Sequence, residues 1–336
     1  MPAYSAPVTA TQTEPQPSST ATSTEQSQAP AAQPFRAFAV TVAAIQRVCP
    51  SVLRVTFTGE DLDRFADNGF DQRIKFFLPL ECGYGELLDL TASGDWYGRW
   101  RELPDERRHP IRTYTARTVR PHARELDVDI VLHGDHGPAS RWALQARPGS
   151  ELVILGPNAD AVGPHGGVDF VPPLRTDQFL LAGDETALPA IAAILERMPA
   201  DACGEALIEM PHPEDRMDLG APAGVTVHWL GRDGAPHGSL LDPAVRAAAA
   251  RVLPRGDGGE LVDVPWTHAS DDDVWEVPVD YSTYSALRET APVYAWLAGE
   301  SGVIRGLRRH LVTELGIDRK SVAFMGYWRQ GRSEAN

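Results

Sequence analysis

The chain has 336 residues, 43% of them hydrophobic, with eight tryptophans and a formal net charge of −15. That length holds two ordinary domains and a tail, and the acidic balance argues against general binding to nucleic acid or an anionic membrane, which need basic surface. The three cysteines, Cys49, Cys82 and Cys203, stand far apart with no Cys-x-x-Cys pair, which excludes a disulfide framework and a four-cysteine iron–sulfur site and fits a reducing compartment.

Residues 1–34 are rich in Ala, Thr, Ser, Gln and Pro and contain no Lys or Arg. A secretory leader needs a basic start and an apolar centre, so this segment reads as a disordered tail. No apolar run approaches the roughly 20 residues that cross a bilayer. The expectation is a cytoplasmic protein that makes no membrane contact.

From residue 35 onward the pattern is β. The runs 40–48, 52–58, 74–78, 111–117, 126–133 and 151–155 are short and rich in β-branched and aromatic residues, with Gly/Pro turns between them. Helical periodicity is nearly absent before Ala139. This predicts an antiparallel β-barrel or sandwich domain over 35–172, here taken as a barrel. Residues 81–109 show no period and are taken as a long excursion between strands.

Within this half, Arg112-Thr-Tyr-Thr-Ala-Arg117 precedes a strand, and Gly137-Pro-Ala-Ser-Arg-Trp-Ala143 follows about twenty residues later. A cation, an aromatic ring and a hydroxyl on one strand, then a glycine-led helix start, suit a flavin nucleotide. Arginine pairs with phosphate through a planar fork, tyrosine stacks on a flat ring, a hydroxyl hydrogen-bonds a ring nitrogen, and a helix N-terminus takes a pyrophosphate. The plainer reading of the strand alone is an exposed β-strand.

After residue 172 the rhythm changes. Strands at 178–183, 206–210, 225–230, 293–298 and 322–327 alternate with helices at 187–198, 239–253 and 301–315, which predicts an α/β domain with a parallel sheet over 173–331. Residues 332–336 form a short tail. The stretch 252–279 interrupts the alternation; its run Asp271-Asp272-Asp273 matches no EF-hand and reads as a solvated insertion. Two strand ends share one pattern of glycine, acid and hydroxyl before a helix: Gly183-Asp-Glu-Thr186 and Gly299-Glu-Ser301. Ligands of open parallel sheets bind beyond such ends. Simple helix capping is the alternative for each, and the pair together favours a nucleotide. The usual G-x-G-x-x-G fingerprint is missing. Gly231-Arg232-Asp233 follows the third strand; Arg232 either meets a nucleotide 2′-phosphate or is a turn arginine, and NADPH against NADH stays open.

With these pieces in hand the chain resembles the siderophore-interacting proteins, flavin- and NAD(P)H-dependent ferric-siderophore reductases of the ferredoxin-reductase-like superfamily. The resemblance rests on Arg112 to Arg117, His133-Gly-Asp-His-Gly-Pro-Ala-Ser-Arg-Trp-Ala143, Leu181-Ala-Gly-Asp-Glu-Thr-Ala-Leu-Pro-Ala-Ile191, Trp296-Leu-Ala-Gly-Glu-Ser301, Leu307-Arg-Arg-His-Leu311 and Gly326-Tyr-Trp-Arg-Gln-Gly331. It implies FAD held by the barrel, with Arg112 at the phosphates, Tyr114 stacked on the flavin and Thr115 near its reactive nitrogen. Thr113 and Arg117 belong to the same motif. His133 and Gly137, Pro138, Ala139, Ser140 and Trp142 complete that site. Asp184, Glu185, Thr186, Ala187 and Glu300 would face NADPH or NADH. Lys75 and Arg329 would hold the anionic ferric siderophore, unless they are solvated surface charges.

One departure stands out. The family often shows Gly-Pro-Arg-Gly where this chain has Gly156-Pro-Asn-Ala159, so an expected basic contact is lost; Arg99, Arg101, Arg107 and Arg108 of the excursion offer replacements. The implied activity passes a hydride from NAD(P)H to FAD and single electrons to Fe(III), with no protein acid, base or metal required. Alternatives are a general flavin reductase or ferredoxin-type reductase, and a non-catalytic siderophore- or flavin-binding protein. No heptad seam is visible, so a monomer is expected.

Overall fold

In the computed structural model of the chain, the structure describes residues 32–81, 83–85, 87–92, 94–132, 137–252 and 274–331. The expected tail over 1–31, His133, the acidic run 271–273 and the tail 332–336 lie outside the described residues. Of the last residues assigned to the tail, Gln33 and Pro34 are held: their carbonyls accept from Asn158 Nδ2 and Asn158 N, each at 2.9 Å.

The first half runs β1 (Phe35–Cys49), β2 (Val52–Thr58), β3 (Arg73–Phe77), α1 (Leu87–Thr91), α2 (Trp96–Arg101), β4 (Ile111–Thr115), β5 (Thr118–Arg120), β6 (Glu125–Val131), α3 (Pro138–Gln145) and β7 (Glu151–Pro157). Its strands form one antiparallel sheet in the order β4-β3-β7-β1-β2-β6-β5. The two edge strands, β4 and β5, are neighbours in sequence. Between them Ala116 N donates to Gln72 O and Arg117 N donates to Asp127 O, both at 2.9 Å. Successive residues thus bond toward β3 and toward β6, at the two sides of the sheet, which curls into a barrel. This is why the strand expected over 111–117 ends at Thr115, and β5 starts after it at Thr118.

Alternation sorts the side chains. Phe38, Val40, Val55, Phe57, Ile74, Phe76, Val128, Ile130, Leu152 and Ile154 fill the barrel, and α3 lays Ala139, Ala143 and Trp142 over its mouth. The outer face is covered too. Phe77, Val153 and Leu155 pack against Leu87, Leu90 and Trp100 of α1 and α2, so the aperiodic excursion holds two helices too short to show a period.

The second half runs β8 (Arg175–Asp184), α4 (Leu188–Arg197), β9 (Cys203–Met210), β10 (Gly224–Gly231), α5 (Leu241–Val252), β11 (Trp275–Glu276), the hairpin β12 (Val279–Asp280) and β13 (Ser285–Ala286), β14 (Thr290–Glu300), α6 (Ser301–Arg308) and β15 (Val322–Trp328). The sheet order is β10-β9-β8-β14-β15-β11, with only β11 antiparallel. Helix α4 covers one face, while α5 and α6 cover the other. The helix expected over 301–315 changes character halfway: α6 gives way to a π-helical turn over Arg309–Glu314.

The halves share a core. Cys49, Val52 and Val131 of the barrel and Phe170 of the connection belong to the same apolar cluster as Ile191, Ile194 and Leu195 of α4. Beside it, Ser51 donates its backbone N–H and its hydroxyl to the two carboxylate oxygens of the buried Asp215, each at 2.8 Å.

Candidate functional site

The flavin motif lies on the barrel edge. Tyr114 pairs across the ladder with Ile74, Arg112 with Phe76 and Thr113 with Lys75. Arg112 and Tyr114 therefore face the barrel side, while Thr113, Thr115 and Lys75 face outward. The Tyr114 ring sits 4.5 Å from that of Phe76, and Phe76 meets Trp142 edge-on at 6.2 Å. One phenylalanine thus joins β4 to α3 and brings Tyr114 and Trp142 to the same mouth. Arg112 Nη1 donates to the carbonyl of its neighbour Ile111 at 2.6 Å. Lys75 Nζ lies 3.3 Å from Thr113 Oγ1, on the outward side that also carries Phe77 and the excursion.

Helix α3 begins at Gly137, whose φ of +93° suits glycine and whose missing Cβ would meet nothing within 4 Å. Among the described residues no side chain caps this helix. Its first amides, those of Ala139 and Ser140, precede the first intrahelical bond, from Arg141 N to Gly137 O at 3.2 Å, and both residues are buried. A glycine-led helix start, with a ring and a guanidinium on β4, is a set of groups that suits a flavin nucleotide.

Arg117 departs from the pattern. It is nearly buried and reaches Glu196 of α4, with one contact at 2.7 Å. Its guanidinium joins the two halves.

The second site lies where the strand order of the parallel sheet reverses, between β8 and β14. Asp184, at the end of β8, is 2% exposed and accepts from Thr186 N at 2.9 Å, Thr186 Oγ1 at 2.5 Å, Glu300 N at 2.8 Å and Trp328 Nε1 at 2.8 Å. It ties the ends of β8, β14 and β15 together. Gly299 makes room for it, since a Cβ there would come within 2.7 Å of Asp184 Oδ2. Burial first, and then the neighbouring charge of Glu185, push the Asp184 carboxyl up to about 6. Glu300 caps α6 by accepting from Val303 N at 3.0 Å, and accepts from Gln330 N at 3.2 Å, which brings Arg329 to this end of the sheet. Ala187 is fully buried at the start of α4.

Glu185 turns inward. Arg232 clasps it through two nitrogens at 2.6 and 2.9 Å and lies 3.3 Å from Glu209. His237 packs edge-on against Trp328 at 4.7 Å, with Nδ1 3.9 Å from Glu185. Sequence reasoning passed over Glu209, His237 and Trp328; only Trp328 left a signal, as the centre of Gly326-Tyr-Trp-Arg-Gln-Gly331. A further buried group went unforeseen between the halves. Asp71 accepts from Phe170 N at 3.0 Å and from Trp296 Nε1 at 3.0 Å, beside Asp169, which is bound by Arg73.

The structure brings Arg112, Thr113, Tyr114, Thr115, Pro138, Ala139, Ser140, Trp142 and Lys75 to the barrel end, and Asp184, Glu185, Thr186, Ala187, Glu300 and Arg329 to the sheet end. Lys75 and Arg329, grouped as one chelate contact in the sequence, stand in different halves. Asn158, at the position of the missing arginine, is 6% exposed and joined by its backbone carbonyl to His165 at 2.8 Å. Packing occupies it. Arg99 and Arg101 of α2 and Arg107 are exposed, while Arg108 is half-buried and bound to Asp105.

An antiparallel barrel with a flavin motif, followed by a parallel sheet with a nucleotide crevice, defines a two-domain flavoprotein of the ferredoxin-reductase-like type. The profile of the siderophore-interacting FAD-binding domain matches residues 41–161, and that of the siderophore-interacting protein matches residues 176–331. The chain belongs to the siderophore-interacting protein family. It is 32% identical over 288 residues to the ferric vibriobactin reductase of Vibrio cholerae, covering 85% of this chain and 87% of that relative. It is 26% identical over 292 residues to the NADPH-dependent ferric-chelate reductase of Escherichia coli, covering 86% and 91%. The crystal structure of the siderophore-interacting protein SipS from Aeromonas hydrophila matches with a TM-score of 0.60 at 32% identity, over 89% of this chain and 94% of that one.

Proposed function

We propose that this protein is a NAD(P)H-dependent ferric-siderophore reductase that carries FAD on the barrel. The observation that carries the reading is the Arg117–Glu196 clasp: it fixes the strand bearing Arg112 and Tyr114 to the helix that starts behind Asp184, so one rigid body offers a flavin mouth and a nucleotide crevice. Kinship with the two named reductases supports the substrate class.

Bound FAD takes up electrons in pairs from a nicotinamide and gives them up singly, chemistry that protein side chains lack. The chain's residues bind and orient. Arg112 pairs with a phosphate, Tyr114 stacks on the ring, Thr113 and Thr115 line the strand beside it, and the amides at the start of α3 take the pyrophosphate. Pro138 and Trp142 shape that mouth. Asp184, Thr186 and Glu300 hold the turns over which the nicotinamide nucleotide lies, and Glu185 and Ala187 support them from within. Lys75 and Arg329 supply positive charge to an anionic chelate from the two sides. The hard oxygen ligands of a siderophore hold Fe(II) far less tightly than Fe(III), so reduction releases the metal without a protein acid or base.

In this reading residues 35–172 are the flavin domain and 173–331 the nucleotide domain, and the protein works as a cytoplasmic monomer, where its nucleotide donor is made. Among the described residues no helix is long and apolar enough to cross a membrane. The test is an anaerobic visible spectrum. Flavin absorbance should bleach on adding NADH or NADPH and return on adding a ferric siderophore, with Fe(II) captured by a chromogenic chelator. Bleaching without return would point to another electron acceptor, and failure to take up FAD would overturn the reading.

A further inference from the structure

The adenosine-ribose end of a doubly wound sheet lies beyond its second and third strands, where an arginine is what accommodates a 2′-phosphate. Here those strands are β9 and β10; Glu209 is the last but one residue of β9, and Arg232 directly follows β10. Resting on the proposed nucleotide crevice, we infer that this end is built for a ribose 2′-hydroxyl and that the protein prefers NADH to NADPH.

Two features of the fold would otherwise receive a phosphate, and the protein's own carboxylates fill both. The first is Arg232, 8% exposed. Its guanidinium is clasped by Glu185 at 2.6 and 2.9 Å and approached by Glu209 at 3.3 Å. The acids are 1% and 0% exposed, so the cluster of one cation and two anions is sealed from solvent. To bind a phosphate, Arg232 would have to leave two buried carboxylates without a counter-charge, which is strongly unfavourable. The second is the start of α5. Its free amides form a ready anion site, but Gly238 N, Leu240 N and Leu241 N already donate to Glu209 at 2.8, 3.0 and 3.0 Å. Asp184 stands next in the chain to Glu185, and Asp233 next to Arg232. His237 also faces the cluster, 3.9 Å from Glu185. A hydroxyl asks nothing of these groups, whereas a dianionic phosphate meets an excess of negative charge.

The FAD-loaded full chain is titrated by calorimetry with ADP-ribose and with 2′-phospho-ADP-ribose, and flavin reduction by NADH and by NADPH is followed anaerobically. ADP-ribose is expected to bind ~10-fold or more tightly than its phosphorylated form, a difference of about 1.4 kcal/mol, with the same order in the reduction rates at limiting nucleotide. Glu209→Gln should move the ratio several-fold toward the phosphorylated ligand; Glu185→Gln, which keeps the contacts to residues 238–241, should do the same if Glu209→Gln does not fold. Equal or tighter binding of 2′-phospho-ADP-ribose by the natural chain, or a ratio unmoved in a folded variant, overturns the inference and leaves the reductase reading standing. If neither ligand binds and neither nucleotide bleaches the flavin, the nucleotide crevice itself is wrong, and both fall.

Discussion

Arg117 and Glu196 meet across the two halves of the molecule as a two-point ion pair, one contact of which is 2.7 Å long. The arginine side chain is 6% exposed and the glutamate 40%. Arg117 also lies 3.5 Å from Asp129, which takes a fork of two hydrogen bonds from Arg54 at 2.7 and 2.8 Å. The guanidinium of Arg117 holds the Glu196 carboxyl below the usual carboxylate range. The strand that carries the flavin motif is therefore anchored two residues beyond its end.

Replacing Glu196 by Gln should weaken this anchor without unfolding the protein. A charge-assisted bond at a partly exposed site contributes about 1 kcal/mol. The denaturant midpoint should fall accordingly, and FAD should dissociate faster because β4 is less firmly held. An unchanged midpoint together with an unchanged FAD off-rate would show that the pair does not brace the flavin strand.

Tyr114→Ala removes the ring that shares the barrel mouth with Phe76 and Trp142. Loss of stacking should cost at least ~0.5–1.5 kcal/mol, which is a several-fold weaker affinity for FAD. Recovery of flavin fluorescence on dilution would measure it. Tyr114→Phe should retain most of the affinity; if Tyr114→Ala retains it too, the ring does not stack.

Lys75→Glu reverses the charge on the outward side of β3. The half-saturating concentration of an anionic ferric siderophore should rise several-fold at low salt, and less at high salt because exposed charges are screened. Flavin reduction by the nicotinamide nucleotide should hardly change. Equal effects on both half-reactions would remove Lys75 from the chelate site.

The buried acids make stability depend on pH in a stated direction. Burial first, and then the charge of Asp169, push the Asp71 carboxyl up to about 7; burial also raises Asp169, and Asp184 stands at about 6. A carboxyl with a raised folded pKa keeps a proton that the unfolded chain has released, so its contribution is full below pH ~4 and is lost as pH rises through the folded value. Acids held low by arginine, namely Asp127, Glu196 and Glu205, stabilise above the ordinary carboxylate range and lose that effect only on acidification. His109, lowered by burial, works against the raised acids below pH ~6.5. Between the ordinary carboxylate range and pH ~7 the three raised acids outweigh His109, and stability should fall by up to ~1.4 kcal/mol per pH unit for each net proton released, levelling off above the folded values of about 6 and 7. Chemical denaturation at several pH values measures the slope, which Asp169→Asn should flatten; a rising profile in the natural chain would contradict the argument.

Much of this was legible in the chain, and particular residues show where legibility stops. Local patterns sufficed for the alternating strand 52–58, recovered to the residue as β2, and for the apolar strand, acidic turn and helix that became β8, Asp184 and α4. The change from antiparallel to parallel architecture was visible as a change of period. What escaped depends on partners distant in sequence. Nothing in Phe70-Asp71-Gln72 announces a carboxylate that accepts from Trp296. Arg117 looks like one more motif residue until Glu196 is placed beside it. The break after Thr115 follows from hydrogen bonds to both Gln72 and Asp127, a property of closure and not of composition. Helices α1 and α2 span five and six residues, less than two turns, and leave no periodic trace.

Because Cys49, Val52 and Val131 are packed among the residues of α4, a change of volume in one half is felt in the other. A chimera joined near residue 172 from two relatives would place a foreign barrel surface against a native helix and inherit mismatched volumes at the seam, where even a methylene is felt. A larger side chain at Val52 asks for room in the other half of the gene.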